Sequence, residues 1–133
     1  MAAIVIGIGA LAVVGLRVVQ DRVLANAVAQ DAGEAAVEAA AAAVADAYVA
    51  HLAGLRRLAF AVPRPTADVT RLLADPATRE AARSAAVEAA ARSGAAFEGT
   101  VDARCVGGSI QVELHHAGRL HRAAVPADAC FPR

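Results

Sequence analysis

The sequence contains no lysine and no tryptophan, and its thirteen arginines balance thirteen acidic residues. Attraction to phosphate requires clustered positive charge, so a neutral chain without a basic run is unsuited to binding nucleic acid. Only four side chains are aromatic, and alanine accounts for 39 of the 133 residues. At 58% hydrophobic residues the chain is not intrinsically disordered. A core of alanine and valine buries little area per residue, so we expect folding to depend on a membrane, a partner or a cross-link.

Catalytic and metal-binding patterns are also missing. Glu34 and Glu38 lie four residues apart, and we interpret them as a solvated acidic stripe rather than a catalytic pair, because no partner group converges on them in sequence. Strand alternation puts His116 and His121 on one face and His115 on the other, which leaves at most two ligands where zinc needs three or four. We expect these histidines on an ordinary strand surface. We predict no enzyme activity, no metal and no cofactor.

An uncharged apolar run begins the chain at Met1 and continues to Leu16. Val18 and Val19 extend it if the Arg17 guanidinium reaches the headgroups. We therefore predict a transmembrane segment over 1–19. Two alternatives stay open: a signal peptide cleaved near 25–27, and a helix buried in a protein assembly.

A long alanine-rich helix is predicted over 20–62, because this stretch contains no proline and alanine has the best helix propensity. With the apolar segment it would form one rod about 80 Å long. Larger apolar residues recur every three or four positions and mark one shallow face. We expect this face to pack against other helices or a sheet; its members are Val37, Ala41, Val44, Tyr48, Leu52 and Leu55.

Proline residues divide the rod from the rest of the chain. Residues 63–74 are predicted as a proline linker with a short helix, and 75–133 as a second helix followed by a sheet. Asp75 and Pro76 have the residue types preferred at a helix start, and Gly94 suits the helix end.

Two turn signals define a three-stranded antiparallel meander. Gly107–Gly108 and Ala117–Gly118 each join runs in which apolar and polar residues alternate. Both registers put the apolar residues on one face and bring Glu113 opposite Arg122 on the other.

The same register places Cys105 and Cys130 at one end of the sheet. A disulfide closing a loop of about 25 residues would stabilise the fold by roughly 3 to 4 kcal/mol on the chain-entropy model. Disulfides persist in oxidising compartments, so we expect this domain outside the cytoplasm. Arg17 and Arg22, which favour a cytoplasmic position for the segment that follows the apolar run, carry less weight than the cysteines.

The layout resembles that of TadE/TadG-like minor pilins and pseudopilins of Tad/Flp pilus loci. The stretch DAGEAAVEAAAAAVADA (31–47) is similar to the helix that follows their membrane segment, and DPATREAARSAAVEAAARSGAAFEGTV (75–101) is similar to their second helix and the following strand. Members of this family usually carry a short polar leader and a glutamate near the start of the apolar segment, and 1–16 has neither. The resemblance implies a role in a pilus or secretion apparatus.

We therefore expect an α+β, pilin-like chain that is anchored in the cell membrane by a single pass. As a structural subunit it would assemble with other pilus-assembly subunits through its long helix, as a homo- or hetero-oligomer. The alternative is a membrane-anchored binding module that uses the disulfide-closed sheet.

Overall fold

The computed structural model describes residues 2–58, 60 and 66–131, with the side chains of the first helix described from Arg17 onward. The predicted α+β class is confirmed, with a long N-terminal helix, further helices and an antiparallel sheet. The elements are α1 (Ala2–Arg57), α2 (Val69–Ala74), α3 (Pro76–Arg92), β1 (Val101–Val106), β2 (Ser109–His116), β3 (Arg119–Pro126) and a 3₁₀ turn (Asp128–Cys130).

Helix α1 runs for 56 residues without interruption, about 80 Å. The apolar segment and the alanine-rich stretch are therefore one helix. It ends at Arg57, earlier than the predicted 62, where the Leu58 N–H turns back to donate to the Leu55 carbonyl at 3.0 Å. The prolines of the predicted linker, Pro63 and Pro65, lie outside the described residues.

The two shorter helices begin at aspartate caps. The Asp68 carboxylate accepts a hydrogen bond from the Arg71 N–H at 2.9 Å, which starts α2. Asp75 accepts one from the Thr78 N–H at 3.3 Å, with Pro76 in the first position of α3. These bonds satisfy amide groups that have no partner within the first turn of a helix.

The sheet has the order β1-β2-β3, and both predicted registers are present. Glu113 of β2 lies opposite Arg122 of β3, and its carboxylate also contacts β1. It accepts hydrogen bonds from Arg122 at 2.9 Å and Arg104 at 2.8 Å. One acidic side chain therefore bridges the outer strands on the solvent face of the sheet.

The core is a layer of small residues between α1, α3 and the buried face of the sheet. Ile110, Val112 and Leu114 of β2 are fully buried beneath the helices. Alanines supply most of the helical contribution, so the helices approach closely but bury little area per side chain. The buried alanines are Ala32, Ala36, Ala40 and Ala41 of α1 and Ala82, Ala86, Ala89 and Ala90 of α3.

Candidate functional site

Helix α1 has two stretches with different surroundings. Every residue from Arg17 to Ala27 is exposed, and we call this part the stalk. The part from Ala32 to Tyr48 has a face buried against α3 and the sheet, and we call it the docked stretch. A single helix therefore has a stretch packed in the domain and a stretch that extends beyond it.

The residues predicted to form the helix-packing face lie in or just beyond the docked stretch. Four of them are buried, and Leu52 and Leu55 are half-buried; the buried ones are Val37, Ala41, Val44 and Tyr48. They belong to the same core as residues of α3 and β2. This face is therefore occupied within the chain. Among the described side chains of α1, the large apolar ones that stay open to a neighbour are Val49, 63% exposed, and four in the stalk, which are 48% to 66% exposed: Val18, Val19, Val23 and Leu24.

The stalk leaves the domain close to a contact with β3. At Gly33 the α1 backbone lies against the ring of His121, and a β-carbon at this position would collide with the imidazole. One turn earlier, Arg119 donates a hydrogen bond to the Gln30 side chain at 2.9 Å, and Gln30 donates one to Glu34 at 3.1 Å. The contact between the Gly33 backbone and the His121 ring, together with the hydrogen bond from Arg119 to Gln30, therefore holds α1 on the sheet just after the stalk ends.

The expectation that the histidines lie on an ordinary strand surface is wrong for two of them. His116 and His121 are 6% and 9% exposed, whereas His115 is exposed. His116 has the same strand parity as Leu114, and His121 pairs with Leu114, so both rings point into the helix layer. The ring of His116 stacks on Phe97, with centroids 5.8 Å apart. These two side chains are part of the core.

Neither a metal cluster nor a carboxylate pair aimed into a cavity is found where the structure has been described. No three His, Cys, Asp or Glu side chains converge among the described residues. Glu34 and Glu38 are both exposed on the solvent side of α1. Their environment matches a solvated acidic stripe.

The disulfide ties the C-terminal turn to the sheet. Cys105 and Cys130 are bonded, with Cα atoms 5.1 Å apart and a sequence separation of 25. The Ala127 N–H donates to the Gly108 carbonyl at 2.9 Å, and the ring of Phe131 covers the Gly108 backbone. The tail after β3 is thereby fixed over the β1–β2 turn.

A groove of about 670 Å³ lies between the helices and β1. Its apolar lining includes Val44 of α1, Ala82 of α3 and Val101 and Ala103 of β1. Arg83 of α3 stands at its rim. Charged side chains also line the groove, among them Glu80 of α3 and Asp102 of β1.

By length and composition α1 is a candidate membrane span. The candidate span is Arg17–Arg57, with a mean hydropathy of 1.3 and 33% of its apolar stretch buried in the domain. The predicted transmembrane segment 1–19 overlaps it only at 17–19, and the side chains of 1–16 lie outside those described. A core helix of a soluble protein meets the same criteria. Comparison of the chain with family models, curated proteins and solved structures gave no match.

Proposed function

We propose that this chain is a single-pass membrane-anchored structural subunit of the pilin-like, TadE-like kind, belonging to a Tad-type pilus or secretion apparatus. The observation that carries the proposal is the continuity of α1 from Ala2 through the exposed stalk into the domain. A rigid helix of this kind holds a folded domain at a fixed distance from an apolar N-terminal segment.

The composition of the stalk supports assembly through this part of the helix. Fully burying a valine or leucine stabilises by roughly 1.5 to 3 kcal/mol relative to exposure. Four such side chains are open in the stalk, and the domain itself buries few large residues. Contact with stalks of neighbouring subunits would remove this surface from water. The proposed partners are other subunits of the same apparatus or further copies of this chain.

The disulfide supports a domain outside the cytoplasm. Cytoplasmic reductants keep thiols reduced, and the Cys105–Cys130 bond closes the tail onto the sheet. Arg17 and Arg22, directly after the apolar segment, favour the opposite orientation. Orientation is therefore part of the proposal that a topology reporter must test.

The test is fractionation of the full-length chain with a reporter fused after Arg133. We expect the chain in the membrane fraction and the reporter active only outside the cytoplasm. Deletion of 1–16 should release it, and Ile8→Arg should weaken insertion because a charge near the centre of a span costs roughly 2.5 to 3.5 kcal/mol. The matched control is Val23→Arg in the stalk, which should remain membrane-bound. Sedimentation of the deleted chain with membranes would contradict the anchor.

A further inference from the structure

The outer edge of β1 has backbone groups that face away from the sheet. The His115 N–H donates to the Thr100 carbonyl at 3.3 Å, so the even-numbered residues of this strand exchange hydrogen bonds with β2. The N–H and C=O groups of Val101, Ala103 and Cys105 point the other way. Among the described residues, these outward N–H and C=O groups have no hydrogen-bond partner in another turn, loop or side chain.

The outer edge of β3 is open in the same sense. The Ala127 N–H donates to the Gly108 carbonyl, so the odd-numbered residues face β2. The backbone groups of Leu120, Arg122 and Ala124 therefore point outward, and all three residues are exposed. A strand edge of this kind is a template for pairing with another chain.

The charges on the two edges are complementary. Asp102 of β1 lies directly opposite Glu113, whose carboxylate is held by Arg104 and Arg122, and among the described residues no cation approaches Asp102 within 4.0 Å. Arg122 of β3 is 57% exposed at its side chain and projects from the same solvent face. Arg122 bonds to its own Glu113 through Nε, and its exposed guanidinium could also face the Asp102 carboxylate of a neighbouring strand, a favourable cross-strand charge pair.

We propose that the outer edge of β1 in one copy pairs with the outer edge of β3 in a second copy, so that the sheets join head to tail. This inference rests on the proposed function, because the shared membrane sets the orientation of the copies. The outer strands of a meander run in the same direction, so parallel β3–β1 pairing keeps the α1 helices parallel. Both anchors can then enter one membrane. Pairing β1 with β1 would require a two-fold axis across the sheet and would point the anchors in opposite directions.

The charges select one register. In a parallel pair, the N–H and C=O groups of a residue bond to the two residues that flank the one directly opposite. The outward groups of β3 belong to even-numbered residues, so Ala103 must lie opposite an odd-numbered residue of β3. With Ala103 beside Ala123, Asp102 lies beside Arg122 and both point to solvent. A shift of two residues in one direction would place Arg104 against Arg122, and the opposite shift would leave Asp102 beside Ala124. The interface is heterologous, so it propagates along a row of subunits rather than closing as a dimer.

A cross-linking experiment on full-length chains in native membranes tests this register. Cells produce two chains, one with Arg104→Cys and one with Ala124→Cys, which the register brings to neighbouring strand positions about 5 Å apart. A short thiol cross-linker should join the two chains at 104 and 124. The matched control replaces the second chain by His115→Cys, which lies on the same solvent face but on the central strand. We expect at least a tenfold lower yield from the control.

Two further changes test the backbone and the charges separately. Ala103→Pro in the chain with Arg104→Cys removes an outward N–H without touching the β1–β2 ladder and should abolish the cross-link. Its control, Ala103→Val, keeps the N–H and should cross-link. Asp102→Arg in that chain should lower the yield about twofold to fivefold, and Arg122→Asp in the partner chain should restore it. If the Ala103→Pro variant fails to fold, the cross-link yields of the Asp102→Arg and Arg122→Asp variants still test the register.

The outcomes separate this inference from the proposed function. Equal yields from the test and control pairs, or cross-links between two copies of the Arg104→Cys chain, would overturn head-to-tail pairing even if the protein sediments with membranes. A specific cross-link in a protein found only in the soluble fraction would support edge pairing and remove the membrane anchor.

Discussion

The stalk and the docked stretch of α1 belong to one helix but have opposite surroundings. Val23 in the stalk is 63% exposed, and Val44 in the docked stretch is 1% exposed. Alanine supplies ten of the 17 residues of the docked stretch but two of the eleven residues of the stalk, and valine occurs in both. The helix backbone is equally continuous through both. Their partners differ as well: the chain supplies α3 and the sheet for the docked stretch, and among the described residues it supplies none for the stalk.

The comparison shows why a shallow alanine face is ambiguous in sequence. One methyl group per residue fits closely against a neighbouring helix whether that helix belongs to the same chain or to another. In this chain α3, itself alanine-rich, packs on α1. An interface that could have joined two subunits is used instead to form the domain.

The largest effect is expected from removing the same two methyl groups in each stretch. Val44→Ala should lower the free energy of unfolding by about 2 kcal/mol, because it opens a cavity among fully buried neighbours. Val23→Ala should change it by no more than about 0.5 kcal/mol. Chemical denaturation of both variants in the same detergent provides the measurement. Equal losses would show that the stalk is packed in the isolated subunit.

Adding bulk tests the same contrast from the opposite direction. Ala41→Leu places three extra carbons in a face that is 7% exposed and should cost about 1 to 3 kcal/mol by overpacking. Ala42→Leu, one position along and exposed, should be close to neutral. Thermal melts of the two variants distinguish them, and an unchanged melt for Ala41→Leu would contradict the packing of α1 on α3.

Alanine substitution at two glycines of α1 should change the stability by a smaller amount, in opposite directions at the two positions. Gly54→Ala should stabilise by about 0.5 to 1 kcal/mol, because its β-carbon meets nothing within 4 Å and alanine is the better helix former. Gly33→Ala should lose this gain and destabilise by about 1 kcal/mol, because the new methyl group collides with the ring of His121. Melting temperatures that move the same way would show that α1 does not sit this closely on β3.

Local features of the fold could be predicted from the sequence, because each depends on neighbouring residues. Asp75 with Pro76 marks a helix start by side-chain chemistry alone, and the two glycine turns set both strand registers. The register then brought Cys105 and Cys130 to the same end of the sheet, where they are bonded.

The surroundings of the histidines and of the helix face could not be read in the same way. Strand alternation in the sequence already puts His116 on the same face of the sheet as Leu114. Histidine, however, occurs both on protein surfaces and in interiors, so its burial could not be predicted from this alone. The burial of His121 depends on where α1 lies across the sheet. That placement depends on Gly33, whose missing side chain admits the ring of His121. Nothing local to Gly33 identifies a contact with a residue so distant in sequence.

Thiol accessibility along α1 in native membranes tests the central claim most directly. The reporter is Val23→Cys in the stalk, and the reference is Glu38→Cys, an exposed position on the domain surface. The account predicts that a membrane-impermeant maleimide labels both sites in detergent-solubilised single subunits. In native membrane vesicles made permeable to the reagent but not solubilised, the maleimide should label Glu38→Cys. Val23→Cys should stay unlabelled there, because neighbouring stalks protect it. Equal labelling of the two sites in membranes would show that the stalk has no partner and would contradict assembly through α1.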